Sequence, residues 1–284
     1  MKLATVCYQG HVTYGEVVGD ELADLGAVLG PALPTLKSVL AAGALAACAA
    51  ARDAAPRLPL AACQWLPPIP NPGKILCVGL NYDLHRQETG RDAHPYPTLF
   101  TRFADTLVGH DQPMRRPTVS AKFDYEGELA LILGRPAWRL EGQAARDAVV
   151  GYAAFNDGSV RDFQNHTTQF TPGKNFPATA GFGPWLVTAD EMGAIGPQPI
   201  ETRLNAQIVQ QARLSDMIFD VAAIIAYVSR FTPLSPGDVI ATGTPAGVGA
   251  KRQPPLWMKP GDVVEVTIGG LGSLRNLIAD EAPV

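Results

Sequence analysis

The chain has 284 residues and carries 23 Lys+Arg against 27 Asp+Glu, a formal charge of −4. That length suits one large domain, or a large and a small one, and a 46% hydrophobic content excludes wholesale disorder. The mild acidity removes the electrostatic case for nucleic acid, and no polybasic stretch favours a membrane surface.

In chain order, the first 67 residues read as a small α/β unit. Two alternating runs, 3–8 and 12–18, flank Gln9-Gly10-His11 and predict a hairpin. Residues 24–29 and 35–51 have helical composition, with Pro34 placed before the second helix. The Ala-rich stretch 41–51 is shorter than the about 20 residues that span a bilayer. The first nine residues lack the long apolar run of a signal peptide. Four prolines between 67 and 73 exclude a helix or inner strand there and mark a linker. Cys7, Cys48, Cys63 and Cys77 form no CxxC pair, which predicts reduced thiols and a cytoplasmic protein.

From residue 74 the chain reads as strands with occasional helices. Residues 74–80 predict a short apolar strand. Asn81 is placed to cap, and Gly90 to end, a helix in which His85 and Glu88 stand at i and i+3. A carboxylate on one imidazole nitrogen raises the basicity of the other, as a water-activating base requires. A surface His beside a helix-stabilising Glu is the bland alternative. Runs 129–133 and 149–155 predict buried strands, and 219–231 has helical spacing stopped by Pro233. The tail predicts strands over 239–242, 261–268 and 274–278. Pro236-Gly237-Asp238 and Pro260-Gly261-Asp262 are the turns before two of them.

Only 18% of residues are charged, below the usual ~25%, so acids inside apolar runs are informative. Strand periodicity places Asp124, Glu126 and Glu128 on one face, beside a run that becomes apolar on both faces. A cation is the simplest offset for such like charges; a solvated strand face would carry the same acids. Asp157 stands where the second buried strand opens, as a further acid or as a helix N-cap. In a helix starting there, Asp157, Arg161 and Gln164 share a face. Three carboxylates from two strands make an all-oxygen site for Mg²⁺, Mn²⁺ or Ca²⁺. Zinc lacks a Cys or His at ligand spacing here.

Three motifs now stand in order: Asn-Tyr-x-x-His-x-x-Glu at 81–88, Asp-Tyr-Glu-x-Glu-Leu at 124–129, and Asn-Asp-x-Ser-x-Arg-Asp-x-Gln at 156–164. Gly-Lys at 173–174, Gly-Pro-Trp at 183–185, Thr-Gly-Thr-Pro-Ala-Gly-Val-Gly at 242–249 and Lys-Pro-Gly-Asp at 259–262 follow. Over about 74–280 the series resembles the fumarylacetoacetate hydrolase family, on the side of its acylpyruvate hydrolase-like and 2-hydroxyhepta-2,4-diene-1,7-dioate isomerase-like members. The resemblance implies an α+β, mostly β fold. A mixed β-roll catalytic domain, 74–284, would follow the small N-terminal domain 1–67 and a linker at 68–73.

It also implies a homodimer, and Mg²⁺ or a similar ion on Glu126, Glu128 and Asp157. His85 and Glu88 would ride on a mobile lid, with Lys174 a third catalytic residue. Arg161 and Gln164 match positions that contact substrate or support the metal shell, and Thr244 matches a binder of the substrate carboxylate. The implied substrate is a small 2-oxo acid. The implied reaction is hydrolysis of a C–C bond in a 2,4-dioxo acid of the acylpyruvate or fumarylpyruvate type. Oxaloacetate decarboxylation, 2-hydroxydienoate isomerisation or hydration, and bare cation binding are the alternatives. One departure stands out: Lys174-Asn175-Phe176-Pro177 replaces the Lys-x-Phe-Asp of many members.

Overall fold

The leader's hairpin forms as expected: Lys2–Tyr8 pairs antiparallel with His11–Val18. Gln9 and Gly10, the two turn residues, both take positive φ, 49° and 83°. That is the turn geometry whose twist matches the flanking strands. The helix expected over 35–51 is instead two helices, Leu36–Ala41 and Leu45–Ala51. Gly43 lies between them at φ +62°, a left-handed conformation that ends the first. Residues 1–281 are described in this computed structural model, so the last three residues of the 74–284 unit lie outside the described residues.

The largest sheet has twelve strands among the described residues. From one edge ten of them run Arg57–Pro59, Glu21–Asp24, His11–Val18, Lys2–Tyr8, Ala180–Thr188, Val149–Asn156, Gly127–Leu133, Val239–Ala241, Ile75–Gly79 and Thr98–Arg102, while Gln64–Trp65 pairs with Lys2–Tyr8 and Leu107–Val108 with Ala180–Thr188. The leader is thus joined edge-on to the region that follows the linker, with Lys2 opposite Val187 and Leu3 opposite Leu186. The proline-rich connection contains neither helix nor strand, and its Ile69 is fully buried. A second sheet of five strands is ordered Gln207–Arg213, Pro199–Leu204, Val263–Ile268, Gly272–Asp280 and Met114–Arg116.

Strand Gly127–Leu133 shows why the core is two-sided. Its period of two sends Leu129, Leu131 and Leu133 toward Ile200, Val266 and Leu274 of the second sheet. Ala130 and Ile132 face the other way, into a cluster with Leu36, Val39 and Leu40 of the leader. The run expected over 219–231 is helical at Val221–Ser229, with Asp220 accepting from the Ala223 N–H as N-cap. Strand exceeds helix, and parallel and antiparallel pairs are mixed, so the fold is α+β and mostly β. No helix among the described residues is long and apolar enough to cross a membrane.

Candidate active site

The expected alternation of Asp124, Glu126 and Glu128 fails at one point. Phe123–Asp124 forms a separate two-stranded ribbon with Ser159–Val160, and the next strand begins only at Gly127. Asp124 therefore leaves the face shared by the two glutamates. Its carboxylate accepts from Arg161 Nε at 2.7 Å and from the Gly249 and Ala250 N–H groups at 2.8 and 2.9 Å. It is an anchor for Arg161 and the following turn.

Glu126, Glu128 and Asp157 do come together, with one oxygen from each lying within 4.8 Å of the others. Asp157 is neither helical nor an N-cap: the single-turn helix starts later, at Arg161–Gln164, and Asp157 sits at the strand end with its N–H bonded to the Glu126 carbonyl. Lys174 Nζ donates to Glu126 Oε2 and Asp157 Oδ2, both at 2.6 Å. Arg161 Nη1 reaches Glu126 Oε1 at 2.7 Å, and Arg102 Nη1 reaches Asp157 Oδ1 at 2.5 Å. Among the described residues Glu128 accepts only the Gly243 N–H, at 2.8 Å.

This asymmetry splits the two glutamates. Burial pushes the Glu126 carboxyl up, but Lys174, then Arg161 and His85, outweigh it and hold it down to about 2. Burial, then the charges of Asp157 and Glu126, push Glu128 well above the usual carboxylate range. Burial opposes the charge on Lys174 as well, yet Asp157 and Glu126 raise its pKa. The donor set fits a hard divalent cation: all-oxygen, from three carboxylates, with one buried acid undercompensated. Each carboxylate oxygen bonded to Lys174, Arg161 or Arg102 keeps a second lone pair for such an ion.

The opposite wall is the short helix Asp83–Thr89. Gly90 ends it at φ +68°, as expected, but Asn81 does not cap it. The Asn81 amide instead donates to the carbonyls of Thr242 and Phe219 and accepts from the Phe219 N–H. His85 Nδ1 lies 2.8 Å from Glu88 Oε1, and Glu88 also accepts from the Gly247 N–H at 3.1–3.2 Å. The glycines of the Thr-Gly-Thr-Pro-Ala-Gly loop make these contacts feasible. A Cβ at Gly243 (φ +101°) would fall 2.8 Å from the Val78 carbonyl oxygen, and one at Gly247 (φ +104°) 2.3 Å from that of Val209.

His85, Glu126, Glu128, Arg161, Gln164, Lys174 and Thr244 line one cavity of about 440 Å³. Arg161 Nη1 also donates to Gln164 at 2.8 Å. Thr244 departs from the simplest expectation. Its hydroxyl donates to the Gly127 carbonyl at 3.0 Å and accepts from Gln210 Nε2 at 2.8 Å. Asn175, in the departing Lys-Asn-Phe-Pro segment, accepts from the Phe103 N–H and donates to the carbonyls of Thr101 and Thr171, so it holds the helix carrying Lys174.

Asn156 and Gln210 had no role in the sequence reading of the site, and Arg102, for which the sequence left a distal-acid binder or a surface or structural arginine open, takes the structural place. Arg102 is buried on Asp157, the Gly158 carbonyl and Thr179. Asn156 receives the Glu126 N–H, and its position beside Asp157 was a usable signal. Gln210 ties Gly127 to the Thr244–Pro245 turn from the second sheet, and no local pattern marks it.

A mixed β fold with a buried carboxylate triad, its three acids close enough to hold one metal ion, beside a His–Glu pair defines a class of enzyme fold. Residues 74–279 match the family described as fumarylacetoacetate (FAA) hydrolase, C-terminal. The chain belongs to that family. It is 40% identical over 213 residues to the mitochondrial oxaloacetate tautomerase fahd2 of Xenopus laevis, covering 74% of this chain and 67% of that one. Among solved structures, a 2-hydroxyhepta-2,4-diene-1,7-dioate isomerase from Mycobacterium marinum is 29% identical, with both chains fully covered and a TM-score of 0.77. A maleylpyruvate hydrolase from Sphingobium sp. SYK-6, in complex with manganese(II) and pyruvate, is also 29% identical, covering 99% and 100% at a TM-score of 0.82.

Proposed function

We propose that this chain is an Mg²⁺-dependent enzyme, with Mn²⁺ or Ca²⁺ as substitutes, that forms and quenches the enolate of a 2-oxo acid. Its reaction is keto–enol tautomerisation of an oxaloacetate-like 2-oxo diacid, the activity named for the Xenopus laevis relative. The observation that carries this reading is His85, bonded through Nδ1 to Glu88, lining the same cavity as Glu126 and Glu128. With Nδ1 donating to Glu88, His85 keeps its Nε2 lone pair as the base. It takes a proton from the carbon beside the keto group and returns it to the enolate oxygen, so no other reactant is needed. Glu126, Glu128 and Asp157 would hold the cation, which when bound would supply Lewis-acid stabilisation of developing negative charge. Lys174 adds positive charge at the same floor, Arg161 and Gln164 orient the acid, and Thr244 offers its backbone N–H to the substrate carboxylate.

Hydrolysis of a 2,4-dioxo acid of the acylpyruvate or fumarylpyruvate type is the second reading. The clamp of Gly247 on Glu88 favours it, because a fixed carboxylate holds the imidazole in one orientation toward an attacking water. One NMR experiment separates the two. The protein with Mg²⁺ is given oxaloacetate, acetylpyruvate and fumarylpyruvate, and the products are followed. Faster equilibration of oxaloacetate with its enol, at constant total concentration, is expected. Cleavage of either dioxo acid with unchanged oxaloacetate exchange would replace the first reading with the second. We further propose a cytoplasmic homodimer, which light scattering of the purified chain tests for assembly.

A further inference from the structure

We propose that Arg91, Lys122 and Lys251 form a recognition site for the distal carboxylate of an elongated 2-oxo diacid. The proposal rests on the 2-oxo acid reading above and adds the residues that choose among such acids.

All three are exposed and line the same cavity as the acid triad's glutamates. They come from separate elements: the loop after helix Asp83–Thr89, the residue before ribbon strand Phe123–Asp124, and the turn Gly249–Lys251. The inner cations differ sharply from them. Arg102, Arg161 and Lys174 are each ion-paired to buried carboxylates. Among the described residues, Arg91, Lys122 and Lys251 pair with no carboxylate. The one acid lining the outer part, Asp162, accepts from Ser120 Oγ and the Phe163 N–H.

A second observation points independently to an anionic ligand. Arg161 Nη2 is buried without an acceptor among the described residues, and its side chain is only 10% exposed in this cavity. A buried guanidinium N–H without an acceptor is costly, and a ligand carboxylate supplies one. The two ends of the cavity are mechanically joined. Asp124 holds both Arg161 Nε and the N–H groups of Gly249 and Ala250, next to Lys251. The Lys122 carbonyl accepts the Arg161 N–H at 3.0 Å. A carboxylate on Arg161 is thus at a fixed reach from Lys122 and Lys251, and Phe100, Phe170 and Trp257 flank the space for a carbon chain. At ~30 Å³ per water, 440 Å³ holds about fifteen waters, more than a cation's few waters and a four-carbon acid occupy.

The test is calorimetric titration of the Mg²⁺-loaded protein with length-matched acids, 2-oxopentanoate against 2-oxoglutarate and 2-oxohexanoate against 2-oxoadipate. The diacids are expected to bind about tenfold more tightly than their monoacid partners at low salt, and salt should shrink that ratio. The double variant Lys122→Met/Lys251→Met should bring the ratio close to one. Arg91→Gln, on a different element, should lower it independently. A ratio of one in the unmodified protein, or one that survives the double variant, overturns the distal site alone. Binding of none of the four acids overturns the 2-oxo acid reading together with it.

Discussion

The floor and the lid of the cavity are built in opposite ways. On the floor, Glu126, Glu128, Asp157, Arg102, Arg161 and Lys174 are all at least nine-tenths buried, and all but Glu128 are cross-linked by ion pairs. The three acids sit at the ends of strands Gly127–Leu133 and Val149–Asn156, which are buried along nearly their whole length. The lid is a seven-residue helix, too short to be stable alone, with Leu84 70% exposed. It is fastened mainly by Asn81 at its start and by Gly247 on Glu88 near its end. The floor fixes charge in advance, as the proposed electrostatic catalysis requires, while His85, the proposed proton carrier, rides on the part held by few contacts.

Each side of that comparison can be attacked separately. Lys174→Met should have the largest effect, because it leaves Glu126 and Asp157 short of a buried partner. Stability in urea with a chelator present should fall by about 3–5 kcal/mol and activity should vanish, with part of the stability recovered on adding Mg²⁺. A wild-type unfolding midpoint would mean that the floor does not depend on its cross-links. His85→Ala, on the lid, should lower kcat/KM by about 10²–10⁴ while calorimetric Mg²⁺ affinity stays near that of the parent. Loss of metal affinity there would show that lid and floor are not separable.

The floor also predicts a proton effect. Glu128 is raised well above its ordinary 4.5, so without a cation it stays protonated as the pH rises past that value. Binding of Mg²⁺ must then displace a proton, and affinity should climb with pH until the carboxyl ionises unaided. Calorimetry in buffers of different protonation enthalpy measures that release; a buffer-independent enthalpy would contradict it. The smallest effect belongs to the outer face of the lid, where Leu84→Asp should change stability by no more than about 0.5 kcal/mol. A larger loss would mean that this face is covered in solution.

Much of the site was legible because it depends on local spacing. His85 and Glu88 meet at 2.8 Å as i and i+3 neighbours, and Glu126 and Glu128 stay together across a strand start. Asp157 was legible as an acid at the end of an apolar run. Asp124 was misplaced because periodicity holds only while the strand continues, and the chain turns at Tyr125-Glu126. The pairings of Arg102 and Gln210 were invisible for another reason. Their partners lie 55 residues away at Asp157 and 83 away at Gly127, and no periodic pattern encodes such a distance. The fold followed the same rule. Alternation identified the leader's hairpin but could not say which strand lies beside it.

That neighbour matters for how the chain behaves in solution. Lys2–Tyr8 lies along strand Ala180–Thr188, which on its other side carries Val149–Asn156, the strand leading to Asp157. Stripped of residues 1–67, the catalytic sheet would present a raw border of N–H and C=O groups around Leu186 and Val187. Such a border recruits strands from neighbouring molecules. The leader acts as a hem for the sheet, and a shortened chain should be retained in pellets and broad sizing peaks even where its cavity is intact.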